Sequence, residues 1–372
     1  MSPQPFLDYY RENRISPVAQ EISDLNNHFR RRAALYRLLG LPPGLLQGKR
    51  LLEFGPGSGH NALFTLSLAP GHYRLVDGNP TGLQETRKRL SDYFPKADNW
   101  QTELGLIESY QSDGLYDGVF CEGVISGQTH PEAFLRRVAG HVKPGGILVI
   151  TCMDNVSFLS EILRRIAADL WLPKEAPIDQ KVAQLIPFFE PHLATLPAMS
   201  RPIRDWILDN VLQPLTGQLL PIPDAIDALS RDGDDLQFDV QGASPRFFTD
   251  WRWYKSIHNP DPGFNEIVRQ SYLENLHNLL DHRFLHPPRS PELNQPLIPL
   301  GEALYGELNT GNREGIAGLV GEVAGLVDPF ATETAAALRE FQAALGEERF
   351  PTLTRFAPFF GRGQQYLSFI RR

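Results

Sequence analysis

The chain has 372 residues, with 36 Lys and Arg against 44 Asp and Glu, so its net charge is −8. This balance argues against a general electrostatic grip on nucleic acid or on an anionic membrane, and 42% hydrophobic with 22% charged residues is a globular composition. The two cysteines, Cys121 and Cys152, make neither a disulfide framework nor a zinc-finger pattern, the N-terminus lacks a signal-peptide pattern, and no run of 18 apolar residues occurs, which together predict a cytoplasmic protein without a membrane span.

Residues 1–46 read as helical, with Phe29, Ala33, Tyr36 and Leu39 at three- to four-residue spacing and Arg30, Arg31 and Arg32 between them; Leu41-Pro42-Pro43-Gly44 is a stop. From Lys49 short apolar runs alternate with helices. Strands are predicted over 49–54, 72–76, 100–104, 116–121 and 146–152, with helices over 61–69, 80–93 and 131–142. Such alternation argues for a parallel sheet covered on both faces. The alternation stops after Asp154, and residues 155–330 read as a mainly helical insertion whose many prolines predict short helices and turns. Residues 331–372 read as a last helix and a C-terminal β-hairpin, formed by 352–359 and 364–370 around Gly361-Arg362-Gly363, that completes the core.

The chemistry is concentrated in Leu51-Leu-Glu-Phe-Gly-Pro-Gly-Ser-Gly-His-Asn61, where a strand runs into a glycine-rich turn and then a helix. Glycines let the backbone turn sharply and approach a ligand, and the helix start offers free N–H groups. A tight strand–helix turn without a ligand is the competing reading. The dinucleotide fingerprint would need glycine where His60 stands, and no Gly-Lys-Ser/Thr follows to make a phosphate loop. The next strand ends in Asp77, 18 residues beyond Gly59, where a carboxylate can accept hydrogen bonds from two ribose hydroxyls.

Four ordered segments, Glu53–Gly59 (EFGPGSG), Leu75–Pro80 (LVDGNP), Tyr116–Ile125 (YDGVFCEGVI) and Val142–Ile150 (VKPGGILVI), resemble the class I S-adenosylmethionine-dependent methyltransferases over about residues 48–153. The resemblance implies an α/β fold, a Rossmann-like seven-stranded sheet with helices on both faces, in which 47–154 form the cofactor-binding core. It implies S-adenosyl-L-methionine as cofactor. Glu53 would lie near the methionine amino group, and Gly55, Pro56, Gly57 and Gly59 would form the floor beneath the methionine and ribose. Asp77 would hold the ribose hydroxyls, with Gly78 and Asn79 beside the adenine. Leu106, Ile107 and Glu108 would flank the adenine, although an Asp often occupies the place of Leu106; the acidic contact then falls to Glu108 or is missing. Glu122 and Gly123 would end the fourth strand beneath the sulfonium.

Methyl transfer from a sulfonium mainly requires an acceptor held in line and water kept out, and an oxygen acceptor also needs a base. His130, in the loop after the fourth strand, and His258 are the candidate catalytic bases; a polar helix start and a packed or surface imidazole are the competing readings. Trp251 and Tyr254, in an aromatic and charged stretch, are candidate acceptor-binding residues, or else merely pack the insertion. Asp232-Gly233-Asp234-Asp235 superficially resembles a cation loop, but Leu236 and Gln237 break the spacing, so no metal is predicted. Cys121 is not part of a Pro-Cys dipeptide, which argues against covalent cytosine methylation, and an Asn/Asp-Pro-Pro-aromatic signature is absent. The expected activity is methylation of a small-molecule acceptor, oxygen slightly ahead of nitrogen, without nucleic acid as partner. A protein or RNA methyltransferase and a cofactor-binding scaffold without catalysis are the alternatives, and self-association into a homodimer stays open.

Overall fold

The computed structural model describes residues 5–16, 19–231, 233, 235–246, 263–348 and 350–372. The chain divides into two compact units: residues 1–153, 214–272 and 364–372 form the first, and residues 154–213 and 273–363 the second.

In the first unit, α1 (Pro5–Asn13) and α2 (Leu25–Leu38) precede the alternating segment. That segment runs β1 (Arg50–Phe54), α3 (His60–Ser67), β2 (His72–Asp77), α4 (Pro80–Tyr93), β3 (Trp100–Leu104), β4 (Tyr116–Cys121), α5 (Pro131–Ala139) and β5 (Val142–Cys152). Two more strands follow, β6 (Phe238–Ser244) and β7 (Gln365–Arg371). Among the described residues these form one seven-stranded sheet in the order β3-β2-β1-β4-β5-β7-β6. The first five strands are parallel, and β7 runs antiparallel to both β5 and β6. The central strands are largely apolar because helices cover both faces; Leu51, Leu52, Phe54, Leu75, Val76, Val119 and Leu148 are buried. β1 pairs β2 on one side and β4 on the other, so the chain order reverses at β1, and the carboxyl ends beside that reversal are where ligands of open α/β sheets bind.

Of the C-terminal hairpin that the sequence predicts, only the second strand forms: β7 coincides, to within a residue, with 364–370. Residues 352–359 form no strand, and β7 pairs instead with β6, a segment predicted as part of the helical insertion. The 354–356 stretch is held as a turn by one carboxylate: Glu340 accepts from the backbone N–H of Thr354 (3.2 Å), Arg355 (2.7 Å) and Phe356 (2.7 Å). Gly242 lowers the strand signal of β6, yet a Cβ there would lie 2.5 Å from the Leu38 carbonyl, so the close approach of α2 requires glycine.

The second unit is helical, with helices at Leu159–Trp171, Ile178–Leu193, Leu297–Gly306, Arg313–Val327 and Thr332–Ala344 among its elements. The prolines do not all break helices: Ile178–Leu193 runs through Pro187 and Pro191. An interior proline costs about 3 kcal/mol, and here the burial of Val182, Leu185, Phe189 and Leu193 offsets it.

Candidate active site

Glu53 is the penultimate residue of β1 and is buried, 7% exposed. The Tyr73 hydroxyl on β2 donates to its Oε2. Beyond Phe54 the chain enters the glycine turn, in which Gly55, Gly57 and Gly59 have φ of +70°, +56° and +78°. A Cβ at Gly55 would stand 2.4 Å from the Val124 side chain, and one at Gly59 would stand 2.8 Å from Thr86 Oγ1. Conformation and space therefore both demand glycine at these two positions. The turn is closed from within by Gly59 N–H donating to the Pro56 carbonyl (2.9 Å) and pinned from outside by Gly55 N–H donating to the Val76 carbonyl (2.9 Å) and Thr86 Oγ1 to the Gly57 carbonyl (2.8 Å).

Asp77, at the end of β2, organises the opposite rim. Its Oδ2 accepts from Gly57 N–H (3.0 Å) and its Oδ1 from Asn79 N–H (2.7 Å), so one carboxylate fixes both the glycine turn and the start of α4. Asn79 caps α4 by accepting from Thr81 N–H (3.1 Å). The loop after β3 approaches the same rim: Gly105 N–H donates to the Asp77 carbonyl (3.0 Å), and a Leu106 methyl lies 3.3 Å from where a Gly78 Cβ would be. Leu106 and Glu108 are exposed and Ile107 is buried.

Glu122 follows β4, and Arg32 on α2 grips it through two hydrogen bonds, Nη1 to Oε2 (2.9 Å) and Nη2 to Oε1 (2.7 Å). Asn61 on α3 reaches the same carboxylate at 3.4 Å. Gly123 N–H donates to Thr151 Oγ1 on β5 (2.7 Å). The structure thus brings Glu53, the glycine turn, Asp77, Gly78, Asn79, Leu106, Glu122 and Gly123 to the carboxyl ends of neighbouring strands. Arg32 and Tyr73 are additions that sequence reasoning missed; Arg32 stands in a run of three arginines, and nothing in the pattern selects one of them.

Charge at this edge is unbalanced. Burial, then the nearby Glu122 and Asp77 carboxylates, push the Glu53 carboxyl up to about 8 against the pull of Arg32. Burial pushes Asp77 up to about 6, although the N–H groups of Asn79 and Gly57 oppose the rise. Glu53 and Glu122 share the guanidinium of Arg32, which Glu122 already occupies, and Arg11 is the cation that faces Asp77. His60 carries no compensating charge: burial, aided by Arg89, lowers it to about 3, and its Nδ1 bonds Ser58 Oγ at 2.7 Å. An edge short of positive charge fits a ligand that brings an ammonium and a sulfonium.

His130 is exposed at the start of α5, and its side chain makes no capping hydrogen bond. His258, Trp251 and Tyr254 lie outside the described residues, as do Asp232 and Asp234. Cys121 and Cys152 are buried and not disulfide-bonded, and burial raises the Cys121 thiol above its ordinary range, which disfavours the thiolate. Among the described residues no group of three or more His, Cys, Asp or Glu is placed to hold a metal, and no helix is long and apolar enough to cross a membrane.

Residues 26–192 match the family model of a methyltransferase domain. A ubiquinone biosynthesis O-methyltransferase of Rickettsia felis is 35% identical over 71 residues, which is 18% of this chain and 29% of that protein. The chain therefore spans less than a third of that relative's length. Among solved structures, PKMT2 from Rickettsia typhi in complex with AdoHcy is 19% identical with a TM-score of 0.41, covering 58% of this chain and 43% of that one. Magnesium protoporphyrin IX methyltransferase from Synechocystis PCC 6803 with bound SAH is 14% identical with a TM-score of 0.33, covering 42% and 75%. The segment 26–192 is a methyltransferase domain of the class I, S-adenosylmethionine-dependent kind. S-adenosylmethionine is the cofactor of that domain, and the charge deficit and glycine cradle described above fit it.

Proposed function

We propose that the whole protein catalyses methyl transfer from S-adenosylmethionine to a small-molecule acceptor, with oxygen preferred over nitrogen. The observation that carries the choice of a small acceptor is a strap across the loop that follows β4. Gly127 N–H donates to the Gln218 carbonyl (2.7 Å), Gln218 N–H to the Gln128 carbonyl (2.9 Å), and Met153 N–H to the Leu220 carbonyl (2.9 Å). A Cβ at Gly217 would fall 1.9 Å from the Gly127 carbonyl, so the strap and the loop meet backbone to backbone. Covering this edge favours an enclosed acceptor over an extended macromolecule, and the net charge of −8 also argues against RNA. The Rickettsia felis relative is an O-methyltransferase, in keeping with an oxygen acceptor.

The cofactor supplies the activated methyl group. In this reading Asp77 holds the ribose hydroxyls, Glu53 and Glu122 face the cationic methionine end, and Arg32 orients Glu122. The acceptor's proton passes to His130 or His258, and Trp251 and Tyr254 contact the acceptor.

Incubation with methyl-labelled cofactor and separated small-molecule, protein and RNA fractions tests the reading. Label is expected in the small-molecule fraction. Label only in protein or RNA overturns the acceptor class, and tight cofactor binding without transfer to any fraction overturns catalysis. For a hydroxyl acceptor, His130→Ala is expected to lower turnover about 10²-fold and to recover part of it at higher pH, since a positioned base contributes ~10²–10⁴-fold. Unchanged turnover across the pH range removes His130 from the mechanism.

A further inference from the structure

Asp77 is followed by Gly78, so the rim next to this carboxylate has no side chain of its own at that position. α1 fills that gap. A Leu7 methyl lies 2.7 Å from the point where a Gly78 Cβ would stand, and a second Leu7 methyl lies at 3.5 Å. The Leu106 methyl reaches the same point from the opposite loop at 3.3 Å. Leu7 is buried whereas Leu106 keeps 38% of its surface exposed, so this two-leucine wall still has an open apolar face.

Independent contacts hold α1 and the residues just after it on this rim. The Arg11 guanidinium donates twice to the Gly78 carbonyl, from Nε (3.0 Å) and Nη2 (2.7 Å). Asn79 Nδ2 donates to the Ile15 carbonyl (3.0 Å). A Cβ at Gly82, in the first turn of α4, would lie 2.8 Å from the Gly57 carbonyl and 3.1 Å from Ser16 Oγ, so the chain that leaves α1 and the glycine turn both close on this position. Arg11 is also a favourable charge for Asp77. Residues 5–16 precede the segment 26–192 that matches the methyltransferase domain, so this clasp is an addition to the matched core.

We infer that Leu7 is a positioning residue of the nucleoside subsite: together with Leu106 it supplies the apolar wall that Gly78 lacks, and α1 is the clasp that carries it there. The inference rests on the reading that Asp77 takes the ribose hydroxyls of S-adenosylmethionine. With the ribose at Asp77, the base extends along the adjacent rim. A planar heterocycle there gains most of its affinity from covering apolar surface.

A size swap tests this with calorimetry, using S-adenosylhomocysteine as the probe. Leu7→Ala removes the wall and is expected to weaken binding roughly five- to twentyfold. Gly78→Ala puts a methyl where the Leu7 side chain stands, and so displaces it and weakens binding by a smaller factor. The double variant Leu7→Ala/Gly78→Ala returns a methyl to the vacated space and is expected to bind more tightly than Leu7→Ala alone. A purely structural role for Leu7 predicts no such recovery. Unchanged affinity in Leu7→Ala, or a double variant no tighter than Leu7→Ala, overturns the inference while leaving the cofactor reading in place. Failure of the unaltered protein to bind S-adenosylhomocysteine overturns the cofactor reading itself.

Discussion

The carboxyl edge of β1, β2 and β4 and the interior of the second unit both bury charge, but in opposite ways. In the second unit the most deeply buried charged side chain among the described residues is Arg164. Its guanidinium lies over the rings of Phe360 (3.8 Å) and Phe356 (4.9 Å) and donates to the carbonyls of Ser160 (3.1 Å), Phe359 (2.9 Å) and Ala357 (3.1 Å). The neighbouring Glu161 accepts from Ser160 Oγ (2.6 Å), and burial lowers the Arg164 pKa to about 9. The terminal nitrogens of this cation are spent on main chain and aromatic faces. At the carboxyl edge, three carboxyls face two guanidiniums, Arg32, which Glu122 already occupies, and Arg11, whose donors go to the Gly78 carbonyl. Buried charge alone therefore does not mark a site; an excess of one sign, held in place by N–H groups and glycine turns, does.

The largest expected effect breaks the structural half of this comparison. Arg164→Ala leaves three carbonyls without their donors and a hole between two phenylalanine rings. We expect a loss of about 3–5 kcal/mol in denaturant unfolding. Arg164→Lys keeps the charge but not the fork and should recover only part of that loss. An Arg164→Ala protein as stable as the parent would mean that this cation is not a structural clamp.

How far each half could be read in advance follows from the same physics. β2, α4, β3 and β4 follow local signals: apolar runs, a proline at the start of α4, and glycines where φ is positive. Glu53, Asp77 and Glu122 stand at strand ends, and the order of the strands brings them together. Arg32, Tyr73 and Leu7 could not be read, because each acts on a residue 20 or more positions away along the chain. β6 was hidden for a related reason: its glycine serves the approach of α2, not the strand that contains it. Of the hairpin expected over 352–370, the strand at 364–370 forms as β7, whereas 352–359 does not, because Glu340 folds 354–356 into a turn.

Asp77→Ala strikes the ligand-facing half. Charge-assisted hydrogen bonds are worth ~1.5–3 kcal/mol each before relaxation. We expect the cofactor's affinity to fall by about 2–3 kcal/mol in calorimetry. Because Asp77 also holds the N–H groups of Gly57 and Asn79, Asp77→Asn serves as a control that keeps an acceptor but removes the charge. Unchanged affinity in a folded Asp77→Ala protein would remove the ribose assignment.

Glu53→Gln is expected to give the smallest change and the sharpest test, because it reads the imbalance directly. In the unfolded chain a glutamate titrates near its ordinary value of about 4.3. In the folded, cofactor-free protein burial and the facing carboxylates move Glu53 up to about 8. Between these values the folded state holds a proton that the unfolded state has released, so stability falls as pH rises through the window. Asp77, raised to about 6, contributes in the same direction, whereas His60, lowered to about 3, contributes in the opposite direction at the acid end. The whole profile therefore mixes several groups, but the difference between the parent and Glu53→Gln isolates one. We expect the two proteins to be closest in stability near pH 5 and the variant to gain on the parent by about 1–2 kcal/mol by pH 8, a fraction of the full shift because neighbouring groups relax. Melting temperatures measured across that range without cofactor give the difference. A constant offset at every pH would show that Glu53 is ionised throughout, and that the edge carries its negative charge without waiting for a cation.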